Sequence, residues 1–334
     1  MAEKSTENQQ NLTSTLPKVL PINFLNEITN NFTSEILGSS VFGTVYKGTL
    51  PEGGVIAVKM LSDNSPVAHG ITFATEVTNL MAHQHKNIVE LVGSSCATQQ
   101  KVKLHNGRYV IVDMTEKFLC YKYLPLGTLD KHLDDETETI DWKRRFGIIK
   151  GICQGLHFLH IEAGPLIHMN LLPSSIWLDN DWEPKIADFG LARLFGQEQT
   201  RMNTINVMGK NGYMAPEYLY RGEISTKSDI YSLGMLIIEI TTGEKNNADA
   251  EDRSARKFVE KVFENWKTDV QITRKYPSLD SNGFQAVKLC ILIGLKCVDA
   301  DRDKRPSIVD IVNKLGGKRV KIFDEEPSLQ HGAP

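Results

Sequence analysis

The sequence predicts an α+β fold in which a sheet-rich N-terminal part, with one main helix, precedes a mainly helical C-terminal part. Runs of alternating or apolar residues typical of strands occur at 36–48, 55–59, 88–93, 109–112 and 118–123. Further along, the periodicity becomes helical. The sequence there predicts a long helix that ends near Gly164, a second from about Ser228 to Thr242, and further helices from about 255 to 315.

The composition is that of an ordinary globular protein and excludes several classes. The chain has 334 residues and a net charge of −3 from 38 basic and 41 acidic residues, so no overall field attracts nucleic acid or an anionic surface. The basic group Lys318, Arg319 and Lys321 is interpreted as a solvated helix end. The N-terminus has no signal-like apolar region and no apolar run approaches 18 residues, so we expect a cytoplasmic protein without direct membrane insertion.

The five cysteines are odd in number, widely spaced and without a CxxC pair, which argues against a disulfide framework and a zinc site. A reducing compartment is the simplest interpretation. They are Cys96, Cys120, Cys153, Cys290 and Cys297.

Composition also indicates where the folded part of the chain is expected to begin and end. Residues 1–21 are predicted to be disordered. A short amphipathic segment begins after them, at about Phe24. Residues 97–108 look like a long connection between strands, with Asn106-Gly107 marking a hairpin turn. The tail over 317–334 is expected to be loose.

Three motifs stand in order along the chain. Residues 36–48 form a glycine-containing hairpin with Gly38 and Gly43, and Ser40 stands where a further glycine would be expected. Lys59 then ends an apolar strand, and Glu76 lies in a helix predicted over 71–83. Glycines allow backbone N–H groups to approach phosphates closely.

The third motif is the stretch His168-Met169-Asn170-Leu171-Leu172-Pro173-Ser174-Ser175, which lies twelve residues before Asp188-Phe189-Gly190. Together with Ala215-Pro216-Glu217, these motifs resemble a protein kinase of the plant receptor-like type, close to the interleukin-receptor-associated kinases. The resemblance covers about 22–316. It implies a bilobal kinase fold with an N-lobe over 22–124 and a C-lobe over 125–316.

The resemblance also implies a nucleotide site. Lys59 would hold phosphates and pair with Glu76, Tyr121 falls at the gatekeeper position, and Tyr123 falls in the hinge. Asp188 would hold a metal, so ATP and at most one Mg²⁺ are expected. Trp177 would stack on adenine or fill its place, or else pack against the neighbouring helix. The residues expected around the nucleotide are Gly38, Ser40, Gly43, Val45, Ala57, Lys59, Glu76, Tyr121, Tyr123, Trp177 and Asp188.

The catalytic loop departs from the family sequence His-Arg-Asp-x-Lys-x-x-Asn. Asn170 replaces the catalytic acid, Leu172 the lysine beside the transferred phosphate, and Ser175 the metal-binding asparagine. Ser175 could still offer a hydroxyl to Mg²⁺, but its side chain is shorter. Lys210 replaces a threonine that contacts the family's acid and lysine.

The same comparison with the family implies roles for regulatory and structural residues. Met169 replaces the arginine that receives an activation-loop phosphate, so a phosphate on Thr200 or Thr204 could not be bound in that way. Asp229 is expected to brace the catalytic loop, and Arg305 to pair with Glu217. His160 is interpreted as a packing or capping histidine.

The leading hypothesis is a pseudokinase that acts as a binding or regulatory module in signalling, with plant immunity as the candidate process. Its expected partner is an active kinase or an immune component, and it could be the pseudokinase part of a grass tandem-kinase resistance protein. The alternative is a weakly active, atypical Ser/Thr kinase that uses Lys59 and Asp188, with Lys210 in place of the missing lysine.

Overall fold

The computed structural model describes residues 17–40, 42–62, 69–105, 107–134, 140–195, 201–248, 255–266 and 268–324. The chain divides into two compact units. Unit 1 comprises the residues up to Gln84 together with Glu90–Tyr123, and unit 2 comprises His85–Val89 together with the residues from Leu124 onward. Unit 1 is rich in strand and unit 2 in helix, so the predicted α+β class is confirmed.

Unit 1 is built on a six-stranded sheet in the order β1-β5-β6-β4-β3-β2. The short first strand pairs in parallel with β5, and the other neighbours are antiparallel. The elements are β1 (Lys18–Val19), α1 (Ile22–Ile28), β2 (Ile36–Ser40), β3 (Gly43–Thr49), β4 (Val55–Leu61), α2 (His69–Ala82), β5 (Leu91–His105) and β6 (Arg108–Lys122).

Two expectations for the sheet were wrong. Residues 97–108 are not a connection, because β5 and β6 pair continuously from the Gly93–Cys120 pair to the His105–Arg108 pair. The ribbon is exposed, and its polar residues, which include Gln99, Gln100 and Asn106, resemble those of a loop in the sequence. Ile88 lies outside the strands, in an isolated bridge to Ile186. His105 pairs with Arg108 and Gly107 has a φ of +75°, whereas Asn106, the other residue of the predicted turn, lies outside the described residues.

The predicted N-terminal disorder is wrong for 17–21, while residues 1–16 lie outside the described residues. Lys18 and Val19 pair with Gly93 and Ser94. Leu20 is buried in the core of unit 1, among apolar side chains of α1, β4 and β6. This one buried leucine gives the segment an apolar anchor that its polar composition conceals.

Unit 2 surrounds the long helix α6, whose side chains are buried along most of its length. The helix begins at Ser225, whose side chain accepts from Lys227 N–H, and ends at Gly243 in the left-handed conformation. Gly234 and Gly294 allow α6 and α9 to approach closely, since a Cβ on Gly234 would lie 2.5 Å from Cys297 Cβ. The elements are β7 (Gly127–Thr128), α3 (Leu129–Asp134), α4 (Trp142–His157), β8 (Leu166–Ile167), β9 (Ile176–Leu178), β10 (Pro184–Ile186), β11 (Arg193–Leu194), β12 (Met202–Asn203), α5 (Pro216–Arg221), β13 (Glu223–Ile224), α6 (Thr226–Thr242), α7 (Arg256–Asn265), α8 (Asp269–Lys275), α9 (Ser281–Cys297) and α10 (Ile308–Leu315).

The C-terminal region also differs from expectation. The N-cap of α10 is Ser307, which bonds with Asp310 on both sides of a capping box. The tail is ordered through residue 324, where a 3₁₀ turn at Lys321–Phe323 buries Phe323. Within the described part of the chain, no helix combines the length and apolar character that a membrane crossing requires.

Candidate functional site

In unit 1, Lys59, Glu76 and Tyr121 form a buried cluster. Lys59 Nζ lies 3.2 Å from Glu76 Oε2, and the Tyr121 hydroxyl donates to Glu76 Oε1 at 2.6 Å. All three side chains are nearly inaccessible to solvent. Both carboxylate oxygens therefore bond to the sheet, and they hold α2 against it. The sequence assigned Tyr121 to the gatekeeper position but gave no signal of its bond to Glu76.

The glycine hairpin of β2 and β3 is held by its own geometry. Gly43 has a φ of +153°, and a Cβ there would lie 2.3 Å from Met60 O, so glycine is required by strand packing alone. The Ser40 hydroxyl accepts from Phe42 N–H at 3.2 Å. Gly38 pairs with Val45 next to a register shift. Ser40 therefore serves the turn in place of a glycine.

The other predicted nucleotide contacts of unit 1 are Val45 on β3, Ala57 on β4 and Tyr123 just after β6. Val45 pairs with Lys59, and Ala57 pairs with Tyr121 across the β4–β6 ladder. Tyr123 is half-buried, with Lys47 Nζ 5.8 Å from its ring centroid. The register of β3 and β4 thus places Val45 opposite the buried Lys59, and the register of β4 and β6 places Ala57 opposite Tyr121.

In unit 2, Asp229 braces the start of the catalytic loop. Its carboxylate accepts from the backbone N–H groups of His168 at 2.7 Å and Met169 at 2.9 Å. His160 Nε2 lies 2.9 Å from the same carboxylate, so this histidine is indeed a buried packing residue. Every one of these contacts fixes the backbone of the loop.

His168 is a neutral, buried imidazole. Its Nε2 donates to Ala187 O at 2.9 Å, while Nδ1 accepts from Asn170 N–H at 3.3 Å. Burial lowers the pKa of His168 from its ordinary value of 6.5. Its ring meets Phe189 edge to face, with centroids 4.7 Å apart. The histidine thus ties the loop to the Asp188-Phe189-Gly190 segment.

Two non-glycine residues of this region have left-handed backbones. Met169 has a φ of +66°, and Asp188 has a φ of +67° and ψ of +55°. This conformation is uncommon for L-residues and costs about 1 kcal/mol or more. The bonds from Asp229 to the loop offset that cost at Met169.

The three replaced catalytic-loop residues are buried, and Ser175 points back into the loop. Its hydroxyl donates to Leu172 O at 2.8 Å and accepts from Leu172 N–H at 3.0 Å. Both bonds close the 3₁₀ turn Pro173–Ser175. The serine is fully buried, so its hydroxyl is engaged in the turn and is not oriented as a metal ligand. Asn170 and Leu172 are 8% and 7% exposed.

One cavity of unit 2 brings together Asn170, Leu172, Lys210 and Met169, but not Ser175. Lys210 is exposed, and its Nζ lies 5.5 Å from the Tyr213 ring centroid. The same cavity is also lined by further apolar residues and by the polar residues Tyr213, Tyr218, Ser228, Asp229 and Ser232.

Of the two predicted phosphorylation sites, Thr200 lies outside the described residues. Thr204 donates its backbone N–H to Gly222 O at 2.9 Å, beside the pairing of β12 with β13. Its hydroxyl accepts from Asn206 N–H at 3.1 Å. The segment around Thr204 is therefore held to unit 2 by backbone pairing.

Trp177 lies on the middle strand of a three-stranded sheet, opposite Lys185 and Thr128. It is 9% exposed. Elsewhere in unit 2, Arg305 makes two bonds of 2.8 Å to the Glu217 carboxylate, and both residues are buried. This bidentate pair joins the Ala-Pro-Glu segment to the region before α10.

The comparisons with known proteins identify the class. A family model described as protein tyrosine and serine/threonine kinase matches residues 32–315. The chain therefore belongs to this family and has the protein kinase fold, with a sheet-rich N-lobe and a helical C-lobe.

Its relatives show a protein kinase domain of the plant receptor-like type. It is 39% identical over 299 residues to cysteine-rich receptor-like protein kinase 6 of Arabidopsis thaliana, covering 88% of this chain and 42% of that protein. A G-type lectin S-receptor-like serine/threonine-protein kinase of Arabidopsis thaliana is 38% identical over 91% of this chain and 34% of its own length. Cysteine-rich receptor-like protein kinase 6 of Oryza sativa subsp. japonica is 36% identical, over 90% and 41%. The chain thus spans less than half the length of these relatives.

Proposed function

We propose that this chain is a pseudokinase, a kinase-fold module that binds other proteins in signalling and transfers phosphate poorly or not at all. The observation that carries the proposal is Asn170 in the position of the catalytic acid. A carboxamide cannot accept a proton at neutral pH, and loss of a positioned base typically lowers the rate by roughly 10²–10⁴-fold.

The neighbouring contacts support this proposal. Leu172 supplies no cation, and the Ser175 hydroxyl is bonded at 2.8 and 3.0 Å to the Leu172 backbone. The residues of the loop therefore do not fit a second metal ion. These losses do not add, because the groups of an active site act as a unit.

A weakly active Ser/Thr kinase remains the second candidate, favoured by one observation. The Lys59–Glu76 ion pair, 3.2 Å long, keeps the lysine that would hold nucleotide phosphates. We extend the proposal to ATP binding through Lys59 and the glycine hairpin, with Asp188 as ligand of one Mg²⁺. The bound nucleotide would supply the transferable phosphoryl group in an active kinase. In this chain, the bound nucleotide would stabilise the folded state by mass action.

The proposed partner is an active kinase or another immune component in the cytoplasm, as in a grass tandem-kinase resistance protein. Such a partner would meet exposed residues of α2, the helix that the buried Glu76 cluster holds against the sheet. Binding of the partner would then depend on the shape of the kinase fold and would not require phosphate transfer.

The test is phosphate transfer. Phosphatase-treated protein is incubated with ATP and Mg²⁺ or Mn²⁺, and its intact mass is followed beside a Lys59→Met control. We expect no added phosphate on either protein. Phosphate on the parent but not on the control would overturn the proposal and favour the weak kinase.

A gain-of-function variant separates lost chemistry from an altered pocket. Asn170→Asp, Leu172→Lys and Ser175→Asn are combined, and ATP binding is measured beside transfer. A gain of orders of magnitude is expected if nucleotide already binds. No gain, with ATP binding absent from the parent, would contradict the nucleotide-binding part and direct attention to Trp177.

A further inference from the structure

The distal part of the activation loop, residues 201–213 and here called the docked segment, is bonded to the rest of unit 2 at three separate places. The first is the antiparallel pairing of β12 with β13. Thr204 continues this ladder, because its backbone N–H donates to Gly222 O at 2.9 Å. The start of the docked segment is therefore held by backbone bonds.

Gly222 permits this close approach. It caps α5 with a φ of +66°, a region of backbone conformation that favours glycine. A Cβ on Gly222 would also overlap Thr204 O. The helix cap alone favours glycine, but the contact with the docked segment requires it.

The strand that receives β12 is itself held by charges. The Glu223 carboxylate of β13 lies 2.9 Å from Arg302 Nη1 and 3.2 Å from Arg221 Nε. The Glu223 and Arg302 side chains are largely buried. Both arginines thus already have a carboxylate partner within unit 2, and β13 is a fixed support for the docked segment.

The second attachment is a single hydroxyl. The Tyr218 hydroxyl, on α5, accepts from Met208 N–H at 2.8 Å and donates to Met208 O at 2.9 Å. Tyr218 is 5% exposed. Burial raises the pKa of Tyr218 from its ordinary value of 10.0, so the hydroxyl is neutral and can fill both roles. One side chain therefore satisfies both polar groups of the Met208 backbone.

The third attachment holds the end of the docked segment. Gly212 O accepts from Asn246 Nδ2 at 3.0 Å, and Tyr213 O accepts from Ser232 Oγ at 2.7 Å. The carboxylate of buried Glu239 accepts from the Tyr213 hydroxyl and, at 2.7 Å, from Asn246 N–H. These partners lie on α6 or just after it, and α6 is buried along most of its length.

We propose that these bonds alone keep the docked segment in place, so that phosphorylation of Thr200 or Thr204 is not needed to order it. In kinases whose activation loop is ordered by phosphorylation, the phosphate forms new pairs with arginines. Met169 stands where the resemblance to the family implies such an arginine. Tyr218 is the main positioning residue, because its hydroxyl holds the middle of the segment.

This inference goes beyond the proposed function, since it concerns the order of the docked segment and holds whether or not the chain transfers phosphate. Its consequence is a surface of unit 2 that keeps one conformation in the phosphorylated and the unphosphorylated protein.

The test is amide hydrogen exchange of the whole chain after phosphatase treatment. The amides of Thr204 and Met208 should exchange at least about tenfold more slowly than in the same chain unfolded in urea. The variant Thr200→Glu/Thr204→Glu places negative charge at both predicted phosphorylation sites. It should not slow exchange in the docked segment any further.

Tyr218→Phe tests the hydroxyl. It removes both bonds to Met208, so exchange at the Met208 amide should become about tenfold faster, while exchange in α6 stays unchanged. Tyr220→Phe is the matched control, because Tyr220 lies on the same helix and is 65% exposed. It should leave exchange at Met208 as in the parent.

Gly222→Ala tests the close approach and should speed exchange at the Thr204 amide. Gly164→Ala is its control, because Gly164 has a φ of +70° with open space around a Cβ. Both variants carry the cost of a left-handed alanine, but only Gly222→Ala overlaps the docked segment.

Three results would overturn the proposal. One is exchange in the phosphatase-treated parent as fast as in the unfolded chain, and another is slower exchange in the double glutamate variant, which would mean that negative charge orders the segment. The third is an equal effect of Tyr218→Phe and Tyr220→Phe on Met208, or an equal effect of Tyr218→Phe on Met208 and on α6. If Gly222→Ala does not fold by circular dichroism, Tyr218→Phe and its control decide the question.

Discussion

The Lys59 cluster of unit 1 and the catalytic loop of unit 2 have diverged in different ways from the family sequence. In the cluster, the ionic groups are present and bonded, with Glu76 contacting both Lys59 and Tyr121. In the loop, the bonds from Asp229 to the backbone are present, while Asn170 and Leu172 stand where we propose that active kinases carry ionic groups. Under that proposal, the chemical groups of the loop have changed and its support has not.

The largest expected effect tests the support of unit 2. Arg305→Met leaves the buried Glu217 carboxylate without its cation, and should lower the free energy of unfolding by about 3–5 kcal/mol. Urea titration measures it. Arg319→Met is the matched control, because its pair with Asp324 is exposed and should contribute at most about 1 kcal/mol. Equal losses would show that the buried pair has no special role.

The next largest effect on stability is expected in the cluster of Lys59, Glu76 and Tyr121. Tyr121→Phe removes the hydroxyl that donates to Glu76, and should cost about 1.5–3 kcal/mol because the acceptor is charged. Tyr123→Phe, two residues on and half-buried, should change stability by less than about 0.5 kcal/mol. Similar values for both variants would mean that the Tyr121 bond does not hold α2.

Asp229→Asn tests the brace of the loop. The amide keeps one acceptor but loses the other, so one buried N–H of His168 or Met169 is left unpaired, at about 1–3 kcal/mol. Asp181→Asn, on an exposed turn, is the control. Faster hydrogen exchange at the His168 and Met169 amides should accompany the loss. Unchanged exchange would contradict the bracing role.

The smallest effect is a pH dependence at His168. Burial lowers the pKa of His168 below 6.5, so below that pH the unfolded chain binds a proton that the folded chain does not. The stability from the neutral imidazole is complete above pH 6.5 and is lost as the pH falls toward the folded pKa, by at most about 1.4 kcal/mol per pH unit. Urea titrations of the parent and His168→Gln between pH 7.5 and 5.5 should converge at low pH. Parallel curves would exclude this contribution.

Much of the fold could be predicted from the sequence because periodicity and caps are local signals. Helix α6 with its Gly243 cap follows from such signals. The ribbon of 97–105 could not, since its exposed strands share the composition of a loop. Leu20 could not either, because its burial depends on distant residues of the sheet.

For the candidate site, the resemblance to the kinase family implied the pairs Lys59–Glu76 and Arg305–Glu217, and the structure contains both. It did not give the second partner of Glu76, since Tyr121 OH could equally have faced solvent or ligand. Nor did it show that the Ser175 hydroxyl returns to Leu172, which depends on a side-chain rotamer. Partners in a motif are thus predictable, whereas side-chain direction is not.

The β5–β6 hairpin also has a consequence for the order of folding. Its pairing extends pair by pair from His105 and Arg108, so each step closes only a short loop. Joining β4 to β6 requires closure across α2 and all of β5. We therefore expect the hairpin to form before β4 joins β6. Pulsed hydrogen exchange during refolding would then show the amides of the hairpin protected before those of the β4–β6 ladder, and the reverse order would contradict this expectation.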